Sequence, residues 1–173
     1  MNNFATLKYI DEFKHVVYYS IVINGDEEQK SLYDEFTERW EIQNIDKLNH
    51  IKAWLALIGD KYGATENNFR HEKKASALPP RDIEKEPAYL HFGKKTANNL
   101  RLYCHRLNKH VVILFSGAEK TARKAQDCDS VKGHFDLANK LALAIDDCLK
   151  KGDITWNDDS SDILYELNLK IEI

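Results

Sequence analysis

The sequence predicts an α+β fold: an antiparallel central sheet with an N-terminal helical hairpin and a C-terminal helix, in a single domain. Three observations predict it. Leu100 to Leu107 alternates, with Leu100, Leu102 and Cys104 on one side and Arg101, Tyr103 and His105 on the other, and Val111 to Phe115 is continuously apolar. That pairing is expected of a β-hairpin whose second strand is covered on both faces. Leu32, Phe36 and Trp40 recur every fourth residue, and Leu48, Ile51, Leu55 and Ile58 share one helical stripe. Ala138, Leu141, Ala142, Ile145 and Leu149 form a third stripe near the C-terminus.

Each element follows in order. Residues 1–15 carry no clear period. His15 to Ile23 is rich in β-branched and aromatic residues and stops at Asn24-Gly25, which makes it a strand and a turn. A helix is expected over Glu27 to Trp40. A second runs from about Asp46, its cap, to Tyr62, with Gly59 and Gly63 available to end it. Residues 63–99 are read as irregular because Pro79-Pro80 cannot continue a helix, with a short strand at Tyr89 to Phe92. After the hairpin, turned at Asn108-Lys109, the last helix carries Lys150 and Lys151 in its final turn and meets Gly152. The tail, 153–173, is an acidic extension whose alternation from Ile163 reads as one strand. The core is therefore expected over about 15–152.

Composition narrows the class. Hydrophobic residues make up 43% and charged residues 31% of the 173, enough for a core and against wholesale disorder. No apolar run approaches bilayer length, and the first residues lack the build of a signal peptide, so the chain is expected in the cytoplasm with no membrane partner. Three cysteines at wide spacing make no disulfide framework and are expected to be buried, idle thiols. The net charge of −3 hides an asymmetry. From Lys94 to Lys124 there are eight Lys or Arg and one acid, +7 on a chain whose remainder carries −10. A basic segment on an acidic protein is a candidate phosphate-backbone footprint; solvated surface lysines are the alternative.

The element order and one motif carry a resemblance. Asn99-Leu100-Arg101-Leu102-Tyr103, then Val111-Val112-Ile113-Leu114-Phe115, then Glu119-Lys120-Thr121, resembles the pattern of the RelE/ParE/HigB toxin superfamily: an Arg-bearing strand, an apolar strand and a Lys-Thr loop. Phe69-Arg70 and Leu78-Pro79 are loosely similar to the segment before the first hairpin strand in that family. The firm match spans about 25 residues, and the layout extends it to about two-thirds of the chain. The family's usual Lys-Lys-Thr is here Glu119-Lys120-Thr121, and this chain is longer and more acidic than its usual members.

The resemblance implies the toxin of a type II toxin–antitoxin system that cleaves mRNA on the ribosome, the RNA 2′-hydroxyl attacking the adjacent phosphate. No metal or other cofactor is implied. Such a reaction needs a base, cations around the phosphate and an acid for the leaving oxygen. Arg101 is expected to stabilise the phosphate and Lys120 to assist, with His105 as an acid or base and Tyr103 as a stacking or hydroxyl group. Lys94, Lys95, Arg106, Arg123 and Lys124 are the expected RNA contacts. The implied partners are a cognate antitoxin, mRNA and the ribosome. The plainer readings stay open: Arg101 and His105 as solvent-side strand residues, Tyr103 as packing, and Lys120, Arg123 and Lys124 as one solvated face. So does a function of another class, a RelE/ParE-like module that binds a protein target such as gyrase and cuts nothing. The charge asymmetry suggests, in addition, an acidic C-terminal strand folded over the basic segment as a lid.

Overall fold

The computed structural model describes residues 2–124 and 128–173. Eleven strands are defined among them: β1 (Phe4–Glu12), β2 (Val17–Ile23), β3 (Arg70–Glu72), β4 (Ala75–Leu78), β5 (Leu90–His91), β6 (Lys94–Lys95), β7 (Leu100–Arg106), β8 (Val111–Glu119), β9 (Ile154–Trp156), β10 (Ile163–Tyr165) and β11 (Ile171–Glu172). The α-helices are α1 (Leu32–Gln43), α2 (Ile45–Leu57) and α3 (Asp129–Lys151). Seven strands form one sheet in the order β11-β1-β2-β8-β7-β4-β3; β5–β6 and β9–β10 are separate two-stranded ribbons. The fold is α+β, as expected. The sheet is mixed rather than antiparallel, because β2 and β8 run parallel, Val17 beside Val111 through Ser20 beside Leu114.

The helical hairpin is not N-terminal. Two strands precede it, and α1 begins at Leu32. The start is set by Ser31, whose hydroxyl accepts from the Asp34 N–H at 3.0 Å while the Asp34 carboxylate accepts from the Ser31 N–H at 2.9 Å, a reciprocal cap that closes two otherwise unpaired donors. Asn44, not Asp46, caps α2 by accepting from the Lys47 N–H. A π-turn over Ile58–Tyr62 follows α2, and Gly63, at φ 74°, ends the run. The π-turn extends α2 to the expected Tyr62.

Strand register decides which helix covers which face. Cys104, Leu114 and Ser20 share a row, and the Ser20 hydroxyl accepts from the Tyr33 N–H of α1. Tyr18, on the same face, donates its hydroxyl to the Leu55 carbonyl of α2 at 2.7 Å. The helical hairpin therefore lies on the face of Leu100, Leu102 and Cys104. The opposite face, with Arg101, Tyr103 and His105, is covered by α3: Tyr103 meets Phe135 edge-on and His105 meets Asp146. Both faces of β8 are buried, which explains its unbroken apolar run.

The expected core limits are too narrow. Ala5 and Leu7 of β1 and Ile154, Ile163 and Ile171 of the tail are all buried in the same apolar cluster as the central strands. The tail is not one strand. It breaks after Tyr165, β10 pairing with β9 and β11 with Phe4 and Ala5 of β1. Because β11 occupies the sheet edge opposite β3, it does not lie over the basic residues, and the lid expectation fails on topology. No helix among the described residues is long and apolar enough to cross a membrane.

Candidate functional site

Strand β7 carries one buried basic side chain at each end of its α3-facing side, Arg101 and His105, and the two ends differ. At the first, Arg101 is 7% exposed. Its Nη1 donates to the carbonyls of Asn98, at 2.6 Å, and Leu100, at 3.2 Å, but its Nε has no partner. Two residues on, Tyr103 is fully buried and its hydroxyl also has no partner. An unmet buried donor costs about 1–3 kcal/mol, and Trp40 Nε1, in α1 on the other face of the sheet, is a third buried donor without a partner among the described residues.

The sheet brings further charge to the same place. Arg70 pairs with Ala77 and Ala77 with Tyr103, which sets Arg70 and Tyr103 on one row of one face. Glu72 lies on that face of β3, two residues beyond Arg70. Arg70 donates its Nε to the Pro79 carbonyl at 2.7 Å, and exposed Arg81 follows two residues later. Lys120 enters from the end of β8, its backbone N–H held by the Asn99 carbonyl at 2.7 Å. These groups feel each other's fields. Burial, then Arg101 and Arg81, push Arg70 down to about 10. Burial lowers Arg101 and Lys120 as well, partly offset for both by Glu72. Burial, then Glu72, push the Tyr103 hydroxyl upward, so it stays a donor at neutral pH.

A bulge shapes this corner. Leu102 faces Gly117 and Cys104 faces Leu114, leaving an extra residue in β8 opposite Tyr103. Gly117 permits it: a Cβ there would stand 1.6 Å from the Arg101 carbonyl oxygen. The start of α3 closes the corner. Ser130 donates its hydroxyl to the Glu119 carbonyl at 2.5 Å, which sets the positive end of the helix dipole against the segment bearing Lys120. Cys128, the residue before α3, accepts at its Sγ from the Thr121 N–H at 3.2 Å and lies 3.0 Å from the Ser130 hydroxyl. Burial raises this thiol, and the hydrogen bonds from Thr121 act against burial to lower it. Cys104, by contrast, is fully buried and pushed up. The cysteines are buried, as expected, but Cys128 is set apart by its donors.

At the other end of β7 both basic side chains are matched. His105 Nε2 lies 2.8 Å from the Asp146 carboxylate. Arg106 donates its Nε to the Ala64 carbonyl and approaches Glu66 at 3.9 Å.

The expected site is thus partly assembled and partly dispersed. Arg101, Tyr103 and His105 share a face, but it faces α3 and not solvent. Arg101, Tyr103 and Lys120 come together, while His105 is committed to Asp146 of α3. Arg106 stands about 17 Å along the strand from Arg101. Lys94 and Lys95 form β6, exposed, with Lys95 paired to Glu84 and Glu86. Arg123 and Lys124 are exposed beyond Lys120 and lie in no helix. Arg70, Glu72 and Arg81 were missed as site residues: they sit in the segment read as irregular, and only the pairing of β4 with β7 brings them to Arg101. Their one sequence signal was the loose likeness at Phe69-Arg70.

No protein-family model, no curated protein and no solved structure matches the chain.

Proposed function

We propose that the corner formed by Arg70, Arg81, Arg101, Tyr103 and Lys120 binds a phosphodiester of RNA, and that the chain is a toxin-like endoribonuclease held silent by a cognate antitoxin. The observation that carries this reading is the convergence of four cations, Arg70, Arg81, Arg101 and Lys120, at one corner of the sheet, close enough to shift one another's proton affinity. A phosphate offers charge to all the cations. The sequence resemblance to RelE-type toxins supports the choice of RNA.

In the proposed reaction the ribose 2′-oxygen attacks the adjacent phosphorus. A P–O2′ bond forms and the P–O5′ bond breaks, leaving a cyclic 2′,3′-phosphate and a free 5′-hydroxyl. Arg101 and Arg70 hold the non-bridging oxygens as charge builds on them, and the buried Tyr103 packs behind Arg101. Glu72 accepts the 2′-hydroxyl proton. Lys120, its proton loosened by burial among like charges, supplies the proton for O5′. His105 holds α3 against the sheet and takes no part.

The test is regulated expression of the chain beside Arg101→Ala, following growth and transcript integrity. Growth arrest with cut messages, relieved by the substitution in a folded protein, is the expected result. Arrest with intact messages would instead assign the chain to a protein target, as in the gyrase-binding reading.

A further inference from the structure

The ribbon β5–β6 presents an aromatic tip that the fold does not use. Phe92 is 92% exposed and Leu90 57% exposed, among the most solvated apolar residues of the chain. Leu90 pairs with Lys95 and His91 with Lys94, so Phe92 and Gly93 form a two-residue loop. Both have positive φ, 50° and 75°. Hairpins of this length favour Asn, Asp or Gly at such positions, where a side chain with a Cβ is strained. A phenylalanine there serves neither the turn nor the core. Its ring stands against His91, with centroids 4.4 Å apart.

The ribbon grows from the frame of the cationic corner. Its base is closed by the Thr96 N–H on the Tyr89 carbonyl. Two residues further on, Asn98 holds Arg101 through its carbonyl and accepts from the Leu100 N–H at its side chain. The tip therefore projects about 10 Å from a base that is rigidly tied to Arg101.

We propose that Phe92 is a stacking platform for a nucleobase of single-stranded RNA whose backbone lies in the Arg70–Arg101 corner, with Lys94 on a neighbouring phosphate. This rests on the reading of that corner as an RNA site. Two apolar side chains are too little surface for a protein interface, which buries about 800 Å² per partner. They suit one base, since every base offers a π-face, and Lys94, across the ribbon from His91, can meet the backbone while Lys95 is held by Glu84 and Glu86.

The probe is a 12-nucleotide single-stranded RNA with 2′-O-methyl riboses, which cannot be cleaved by 2′-oxygen attack, and an abasic strand of equal length. Phe92→Ala is expected to weaken binding of the base-bearing strand about five- to a hundredfold, the range of one stacked base, and to leave the abasic strand unaffected. Phe92→Trp is expected to bind as the wild type, with its exposed emission quenched by the base-bearing strand alone. If Phe92→Ala binds both strands like the wild type while Arg70→Ala weakens both, the corner stands as an RNA site and the stacking inference fails. If the wild type binds neither strand, both fall. Unchanged RNA binding by Phe92→Ala, with its growth arrest lost, assigns the tip to a protein partner and overturns the inference.

Discussion

The two ends of β7 place basic side chains on one face, under one helix, at similar burial. At the His105 end the imidazole has a partner: Asp146 reaches down from α3. At the Arg101 end the helix begins instead of passing over, and no carboxylate takes its place against the guanidinium Nε. The difference separates structure from site. A buried basic side chain closed by a partner holds two elements together. A buried cation left open, beside an open hydroxyl and three more cations, costs stability in the free protein, and the proposed phosphate site is what would offset that cost. Desolvation without compensation is expensive, so the open end must be held by the surrounding fold.

The strongest way to break this comparison is to remove what shapes the open end. In Gly117→Val the new Cβ would overlap the Arg101 carbonyl, and backbone, unlike a side chain, cannot swing aside. The expected loss is about 3 kcal/mol or more, a fall of roughly 6–12 °C in Tm by circular dichroism for a domain of this size. A Tm within 2 °C of wild type would show that the bulge does not position Arg101.

A sharper cut is Arg101→Met, which fills a similar volume without charge. If Arg101 is kept for a ligand, the variant is expected to hold or exceed the wild-type stability, within about 1 kcal/mol, because an uncompensated buried charge is removed. Inorganic phosphate should raise the Tm of the wild type and leave that of Arg101→Met unmoved, as a ligand that binds only the folded state requires. A drop of several kcal/mol with no change in phosphate response would make Arg101 a structural residue like His105.

These distinctions were unevenly visible in the sequence. The β7–β8 hairpin and the stripes of the helices were legible because each is a local period, and Leu100 to Phe115 carries both an alternation and a bounded apolar run. The first nine-residue strand was not. β1 is paired along most of its length on one side only, its second half is exposed, and Phe4–Glu12 shows no clean alternation. The first two turns of α3 were also missed. Cys128 gives no side-chain cap to mark the start, although Val131 and Phe135 continue the buried stripe toward it. The site divided in the same way. Arg101 and Lys120 stood in a contiguous motif. Arg70, Glu72 and Arg81 reach them only through β4, and Asp146 lies 41 residues from His105, a separation at which a sequence carries no sign of contact.

The smallest effect tests the closed end. Hydrogen bonding to His105, and then its charge, hold the Asp146 carboxyl below its ordinary value, against burial. A carboxyl depressed in the folded state contributes stability that is fully present above its unfolded value of 3.8 and is lost as pH falls through the lower folded value. Asp146 is 40% exposed, so screening keeps the contribution small, about 0.5–1 kcal/mol. Asp146→Asn should therefore lower the Tm by a few degrees or less at pH 6, and the difference from wild type should shrink as pH falls below 3.8. Phosphate should stabilise the variant as it does the wild type, since the open end is untouched. An Asp146→Asn protein that lost its phosphate response would show the two ends to be one coupled site, and the contrast between them would have to be abandoned.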